Sequence, residues 1–461
     1  MSLPSNWASA SILTCGTFIR GVTYKKQEAS TTTKPGYTRL LRANNISNRN
    51  INTEEIVYVP LHNISETQIL QAGDILIATS SGSPSVVGKA AQIKNNTDMS
   101  FGAFCGVLRP YRNLNPEYIG HFFSSKQYRD QISKLARGTN INNIKQEHFE
   151  SIKIPIAPIN EQRRIADKLD RVLARVDAAN ERLSRVAPLI KRFRQSVLAA
   201  ATSGRLTEDW RDSHKIGKNW LETSLGAIIT EMRNGISNKP DENPSGCKIL
   251  RISAVRPLLL DTSDHRIISL DKETISLYSL QKGDILFTRY NGSLEFVGAC
   301  AVFPEEQEKF VYPDKLIRVR TDEAIVLPKF LALTCSAKST RKQIEGFIKS
   351  SAGQKGVSGK DLKTVEIALP PIAEQTEIVR RVEKLFAFAD RLEERLSQAQ
   401  AAVQKLTPAL LAKAFRGELV PQDPNDEPAS ELLKRLQENR ANDTKPRRAR
   451  KPRATSAGES P

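Results

Sequence analysis

The chain has 461 residues, with 69 Lys+Arg against 51 Asp+Glu and a formal net charge of +18. Such a length allows roughly two to four domains, and the cationic surplus suits a polyanionic partner better than a small neutral ligand. Five scattered cysteines (Cys15, Cys105, Cys247, Cys300, Cys335) without a CxxC exclude a disulfide framework and a zinc knuckle, and no apolar run approaches about 18 residues, so the expectation is an unexported, cytoplasmic protein with no membrane span.

Residues 1–155 are expected to form a first globular part of mixed α and β character, with β-branched runs such as Glu55-Ile56-Val57-Tyr58-Val59 punctuated by Gly, Asn and Ser. Its polar, glycine-bearing loops supply candidate nucleic-acid contacts: Arg20, Tyr24, Lys25, Arg42, Asn44, Asn45, Ser81, Ser83, Lys89, Asn140, Asn142, Asn143 and Lys145. Arg and Asn side chains offer paired donors and acceptors to base edges, Lys and Ser suit phosphates, and glycine frees the backbone between them. Taken singly, any one of these loops is as readily an ordinary turn.

From 156 to 205 the apolar residues Ile165, Leu169, Val172, Val176, Leu183, Val186, Ile190, Phe193 and Val197 recur at threes and fours, as an amphipathic helix requires. Pro158 suits its entry and Gly204 its end; about 40 residues of helix would span roughly 60 Å, with Pro188 a place for a kink. A second mixed part follows at 206–368, with Arg233, Asn234, Arg251, Arg289, Tyr290, Asn291, Ser293, Lys315, Gln354, Lys355 and Lys360 as its candidate contacts. A distal helix, 369–417, carries Pro408 within it. The segment 418–461 ends in a basic stretch from Arg440 without large apolar residues, expected to be disordered.

The chain repeats itself. Residues 154–207 return as 367–420 at a constant offset of 213, matching Pro158 with Pro371, Gln162 with Gln375 and Gly204 with Gly417. The globular parts are related more distantly: Leu70-Gln71-Ala72-Gly73-Asp74-Ile75-Leu76 returns as Leu280-Gln281-Lys282-Gly283-Asp284-Ile285-Leu286, and Gly82-Ser83 with Val87-Gly88 as Gly292-Ser293 with Val297-Gly298. A shared scaffold with divergent surfaces is implied.

Catalytic signatures are missing. The run from Gly82 to Ala90 has a GK step but not the spacing of a phosphate-cradling loop, and Ala90 stands where its Ser/Thr would be. The five histidines form no HExxH, and Pro313-Asp314 with Asp361 and Lys363 is too common a set to mark a nuclease. No catalytic residue, metal or bound cofactor is expected on this chain.

The twice-occurring P-I-x-E-Q helix entry (Pro158 to Gln162, Pro371 to Gln375), the run Ala414-Phe415-Arg416-Gly417-Glu418-Leu419, and the segments RGVTYKK from Arg20, RANNI from Arg42, SFGAFCGVLRP from Ser100, RYNGSLEFVG from Arg289 and YPDKLIR from Tyr312 resemble the specificity (S) subunits of Type I restriction-modification systems, notably the Type IA, K-like group. That resemblance implies an α+β fold: two target recognition domains separated by two long conserved helices, paired as an antiparallel coiled coil with pseudo-two-fold symmetry. Each domain would read half of a bipartite, asymmetric site in double-stranded DNA. It implies two modification subunits, docked through Pro158, Glu161, Gln162, Pro371, Glu374, Gln375, Phe415, Arg416 and Gly417, and restriction subunits beyond them. S-adenosylmethionine, ATP and Mg would then belong to the partners. Thr202-Ser203-Gly204 against Phe415-Arg416-Gly417 is a departure from exact repetition, so a role for Arg416 does not carry over to Ser203. The residues alone leave open a standalone DNA-binding regulator, an enzyme in its own right, and a coiled-coil scaffold without DNA contact.

Overall fold

The computed structural model describes residues 3–47, 49–83, 85–135, 142–241, 245–351 and 354–443; Asn140 and most of the basic tail lie outside them. The chain divides into two compact units, Met1–Arg182 with Ala399–Pro461, and Leu183–Gln398.

In the first unit, the strands Gly16–Arg20, Cys105–Pro110, Ile75–Ala78 and Ala90–Gln92 form an antiparallel sheet in that order. A second sheet sets Tyr37–Leu41 between Ser100–Phe101 (parallel) and Val57–Pro60 (antiparallel). All four residues of Ile75–Ala78 are buried because the strand is covered on both faces. Ile75 and Ile77 pack with Tyr118, Phe122 and Ile132 of the helices Pro116–Phe123 and Lys126–Leu135, while Leu76 and Ala78 pack with Leu41, Phe101 and Val107. An unbroken apolar run, rather than an alternating one, is what such a position needs. The second unit repeats the plan: Ile229–Asn234, Leu316–Thr321, Ile285–Thr288 and Cys300–Val302 in one sheet, and His265–Ile268, Cys247–Leu250 and Phe310–Val311 in the other.

The repeated Gln-x-Gly-Asp turn is structural. Gly73 and Gly283 have φ of 88° and 90°. The next residue, Asp74 or Asp284, is buried and accepts from the backbone N–H of Gln71 or Gln281 and from Arg109 or Arg320. The loop that mimics a phosphate cradle is likewise a turn. Gly88 (φ 77°) lies against Ile132, and Arg129 donates to the carbonyls of Val87 and Ser85 from behind; Gly298, Ile344 and Arg341 do the same in the second unit.

Short ladders close each globular part. Ala8–Ser11 pairs with Lys153–Ile156, and Leu221–Ser224 pairs with Glu366–Leu369. The second part therefore closes at Leu221 rather than at 206. Residues before it, in the turn Arg205–Thr207 and the helix Glu208–His214, fold onto the distal helix instead.

The first conserved segment is two helices, Ile159–Ser184 and Val186–Thr202, with Arg185 between them. Pro188 explains the break: it has no N–H for the Ser184 carbonyl, and its ring crowds that oxygen. The distal helix Ile372–Ala414 runs unbroken through Pro408. Within the second unit the helices pack antiparallel. Arg194 reaches Asp390, whereas further along the chain the Leu206 carbonyl meets Arg381, and Ile190, Phe193 and Val186 form a seam with Ala389, Leu392 and Leu396. In the first unit Leu169 and Leu173 share a core with Leu411, Ala414 and Phe415. Gly204 and Gly417 end the helices in the left-handed conformation, φ 79° and 77°, as their positions require.

Candidate nucleic-acid interface

Several polar loops of each unit converge on one place. In the first, Ser80–Ser81 pairs with Asn142–Asn143, bringing together segments 60 residues apart in sequence. Beside this ribbon lies a groove of about 910 Å³ lined by Thr23, Tyr24, Lys26, Arg42, Asn44, Ser80, Ser81, Gly82, Ala103 and Phe104, among others. An adjoining cavity of about 590 Å³ shares Thr23 and Ala103 and adds Arg20, Asn143 and Lys145.

In the second unit Tyr290–Asn291 pairs with Gln354–Gly356, which pairs in turn with Lys349–Ser351. A groove of about 340 Å³ here is lined by Arg251, Ile252, Ser253, Arg256, Tyr290, Asn291, Gly292, Lys315 and Gln354. The two grooves occupy equivalent places. Arg42 and Arg251 each follow the central strand of the smaller sheet, and Ser80-Ser81-Gly82 stands in the register of Tyr290-Asn291-Gly292. Phe104 and Lys315 each precede the strand that pairs with the central one of the larger sheet. The scaffold is shared and the lining is not: the second groove has Arg251, Arg256 and Lys315 with Tyr290, the first has Lys26 and Arg42 with Tyr24 and Phe104.

The other expected contacts sort by environment. Lys25, Ser83, Lys89, Asn234, Ser293 and Lys360 are exposed outside the grooves, and Lys355 is half-buried in the ladder with Asn291. Asn142 is part of the ribbon with Ser81. Three of the expected contacts are engaged within the protein itself. Asn45 is buried; its amide donates to the carbonyls of Asn52 and Glu55 and accepts from Arg42 N–H, so it shapes the loop that presents Arg42. Arg233 is tied to Glu231, which also takes Arg318 and Arg320. Burial raises the Glu231 pKa, yet these arginines hold it below the usual carboxylate value. Arg289 does not line the groove: its guanidinium stacks 4.7 Å from the Tyr290 ring centre and supports that residue.

The residues expected to dock partner subunits are mostly internal. Pro158, Glu161, Gln162, Glu374, Gln375 and Phe415 are buried; Pro371 and Arg416 are exposed and Gly417 half-buried. Gln162 donates to the Ala157 carbonyl and accepts from Asn115 N–H, and Gln375 does the same with Pro370 and Leu327. Each glutamine thus fastens its helix to the globular part before it. Glu161 accepts from the Trp7 indole at 2.9 Å and Glu374 from the Trp220 indole at 2.9 Å. Beyond that the anchors differ. Glu374 also receives Thr207 and buried Arg211, whereas Glu161 Oε1 is buried with no hydrogen-bond partner. Burial pushes the Glu161 carboxyl above its usual pKa. The sequence showed the P-I-x-E-Q pair but not the tryptophans 154 residues upstream.

Burial pushes the Cys15 and Cys105 thiols up to about 12, and among the described residues no group of three or more His, Cys, Asp or Glu could hold a metal. No described helix is long and apolar enough to cross a membrane.

Comparison with known proteins agrees with this geometry. The model of the Type I restriction modification DNA specificity domain matches residues 4–187 and again 218–399. The chain is 46% identical to the Type I restriction enzyme EcoKI specificity subunit of Escherichia coli (strain K12), over 95% of this chain and 96% of the relative. It is 41% identical to the StySPI specificity subunit of Salmonella potsdam, with the same coverage of each. Its fold is similar to that of the HsdS subunit from Thermoanaerobacter tengcongensis, at a TM-score of 0.57 and 19% identity over 91% of this chain and 99% of that one. A chain from a type I R-M system studied for complex assembly and conformational transition gives a TM-score of 0.64 at 18% identity, covering 91% and 100%.

Proposed function

Since the chain belongs to the family of Type I restriction-modification specificity subunits, of the K-like kind, we propose that its two grooves each read one half of a bipartite, asymmetric target in double-stranded DNA. The observation that carries this reading is the occurrence of two grooves at the same place in a repeated scaffold, with unlike linings: Arg42, Asn44, Ser81 and Phe104 in one, Arg251, Arg256, Lys315 and Gln354 in the other. A symmetric site would need two like grooves. Guanidinium and amide groups pair bidentately with base edges, while lysines neutralise phosphates and make affinity fall with salt.

The chain's part is recognition without catalysis. Two modification subunits, carrying S-adenosylmethionine, dock along the conserved helices, and restriction subunits bring ATP and Mg. The exposed faces of those helices, with Pro371 and Arg416 just beyond the two ends of the distal one, are the surfaces open to docking. The helices also fix the spacing between half-sites. Co-expression with the cognate modification subunit, followed by sequencing of methylated adenines, tests the reading. One two-part motif with unlike halves is expected; a single continuous motif, or none, refutes it.

A further inference from the structure

Phe104 is 68% exposed, more than any other large hydrophobic residue among those described. Single exposed apolar side chains are ordinary on protein surfaces, so exposure alone carries little. Its place is what matters. It stands on the tight turn between Ser100–Phe101 and Cys105–Pro110 and lines the groove together with apolar residues such as Val22 and Val57 and the polar Tyr24, Arg42, Asn44 and Ser81.

That turn is fixed. The Phe104 carbonyl accepts from both Thr79 N–H (2.9 Å) and Ser80 N–H (3.1 Å), Cys105 N–H donates to the Gly102 carbonyl (2.8 Å), and Gly102 N–H donates to the Leu41 carbonyl (2.9 Å). The neighbouring residue Ala103 lines both the groove and the adjoining cavity, whereas Phe104 lines the groove alone. At the same register in the second unit stands Lys315, whose carbonyl takes Arg289 N–H (2.8 Å) and whose side chain lines that groove. One backbone socket thus presents a flat apolar ring in one domain and a cation in the other.

We propose that Phe104 is a wedge: it inserts at one base step of the half-site read by the first recognition domain, and that half-site is selected partly by how easily the step unstacks. This rests on the DNA-reading function proposed above. Apolar side chains on rigid supports unstack base steps in this way, and the cost of unstacking depends on the sequence, so the wedge discriminates without hydrogen bonding. Lys315, at the same register, offers its half-site a phosphate contact instead of a wedge.

The test uses the full-length chain in its complex with modification subunits, and duplexes carrying the methylated target with 2-aminopurine placed in turn along the first half-site. Apart from the adenine that the modification subunit flips out, wild-type and Phe104→Leu complexes are expected to raise fluorescence several-fold at one further position, and Phe104→Ala at no further position. Phe104→Ala weakens target binding about tenfold to a hundredfold, the range for loss of an aromatic-base stack, and a mismatch at that step restores most of it. Phe104→Lys steepens the salt dependence by about one phosphate contact without restoring the fluorescence. The wedge is overturned if no position other than the flipped adenine brightens while wild-type binding stays target-specific. It is also overturned if exchanging thymine for uracil reproduces the full Phe104→Ala loss, which would make the ring a methyl contact. A wild-type complex that does not prefer the target to a scrambled duplex would instead overturn the DNA-reading function itself, and the wedge with it.

Discussion

Replacing each anchor carboxylate by its amide should move stability in opposite directions. In Glu374→Gln, buried Arg211 loses its ion-pair partner, and stranding a buried charge this way costs about 3–5 kcal/mol. In Glu161→Gln the indole of Trp7 keeps an acceptor, and a buried carboxylate with one unpartnered oxygen and no bonded cation is removed. The expected change is between zero and about 1 kcal/mol of stabilisation, less than the roughly 1–3 kcal/mol of a fully relieved buried group, because the amide removes the charge but still leaves one buried polar atom unpartnered. The effect depends on pH. Burial sets the folded pKa of Glu161 above its unfolded value of roughly 4.3. Its contribution is therefore fully present below that value and is lost as pH rises through the folded pKa, so the advantage of Glu161→Gln grows with rising pH. Urea unfolding with hydrogen exchange resolved at Trp7 and Trp220 separates the two anchors. Equal losses in both variants, or a loss above about 2 kcal/mol in Glu161→Gln, would refute the assignment of the anchors as unequal.

Gly88→Ala should cost about 2–4 kcal/mol, because its φ of 77° is left-handed and a Cβ would sit 2.7 Å from Ile132 Cγ2; Gly82→Ala, with nothing within 4 Å, should fall within about 0.5 kcal/mol, both read by chemical denaturation. Arg251→Ala should relax sequence preference in the second half-site only, and Lys315→Ala should leave sequence preference unchanged, in methylation mapping and competition binding. A base contact by Arg251 would relax one position at about 1–3 kcal/mol, whereas a phosphate contact by Lys315 would weaken all sequences alike and lower the salt slope by about 0.9. A one-turn insertion at Arg185, where the first conserved segment is already broken, should lengthen the preferred spacer between half-sites; an unchanged spacer in methylome sequencing would end the ruler reading.

What could be read from the sequence was what local physics fixes. The helical seams, the glycine stops at Gly204 and Gly417, and the paired scaffold show as periodicity and repetition, and they match the helices and φ values found. The groove loops were visible as a class because turn chemistry and base-reading chemistry draw on the same residues. Which loops meet was not visible, since Ser81 finds Asn142 only through a ladder across 60 residues. The same limit misplaced Glu161 and Glu374. A helix-entry glutamate looks exposed until an indole from 154 residues upstream covers it. Phe104 was missed although Lys315, at the same register, was not: composition marks cations as contacts, and it takes the fold to show an aromatic ring outside the core.

The closing ladders have a consequence for domain exchange. Ala8–Ser11 lies against Lys153–Ile156, and Leu221–Ser224 against Glu366–Leu369, so each recognition domain enters and leaves its frame at neighbouring points, clamped there by a tryptophan and a glutamine. Such a domain behaves as a cartridge. A foreign domain ending in the same two edge strands should therefore fold in this frame when spliced at the junctions, with the helices and their anchors unchanged.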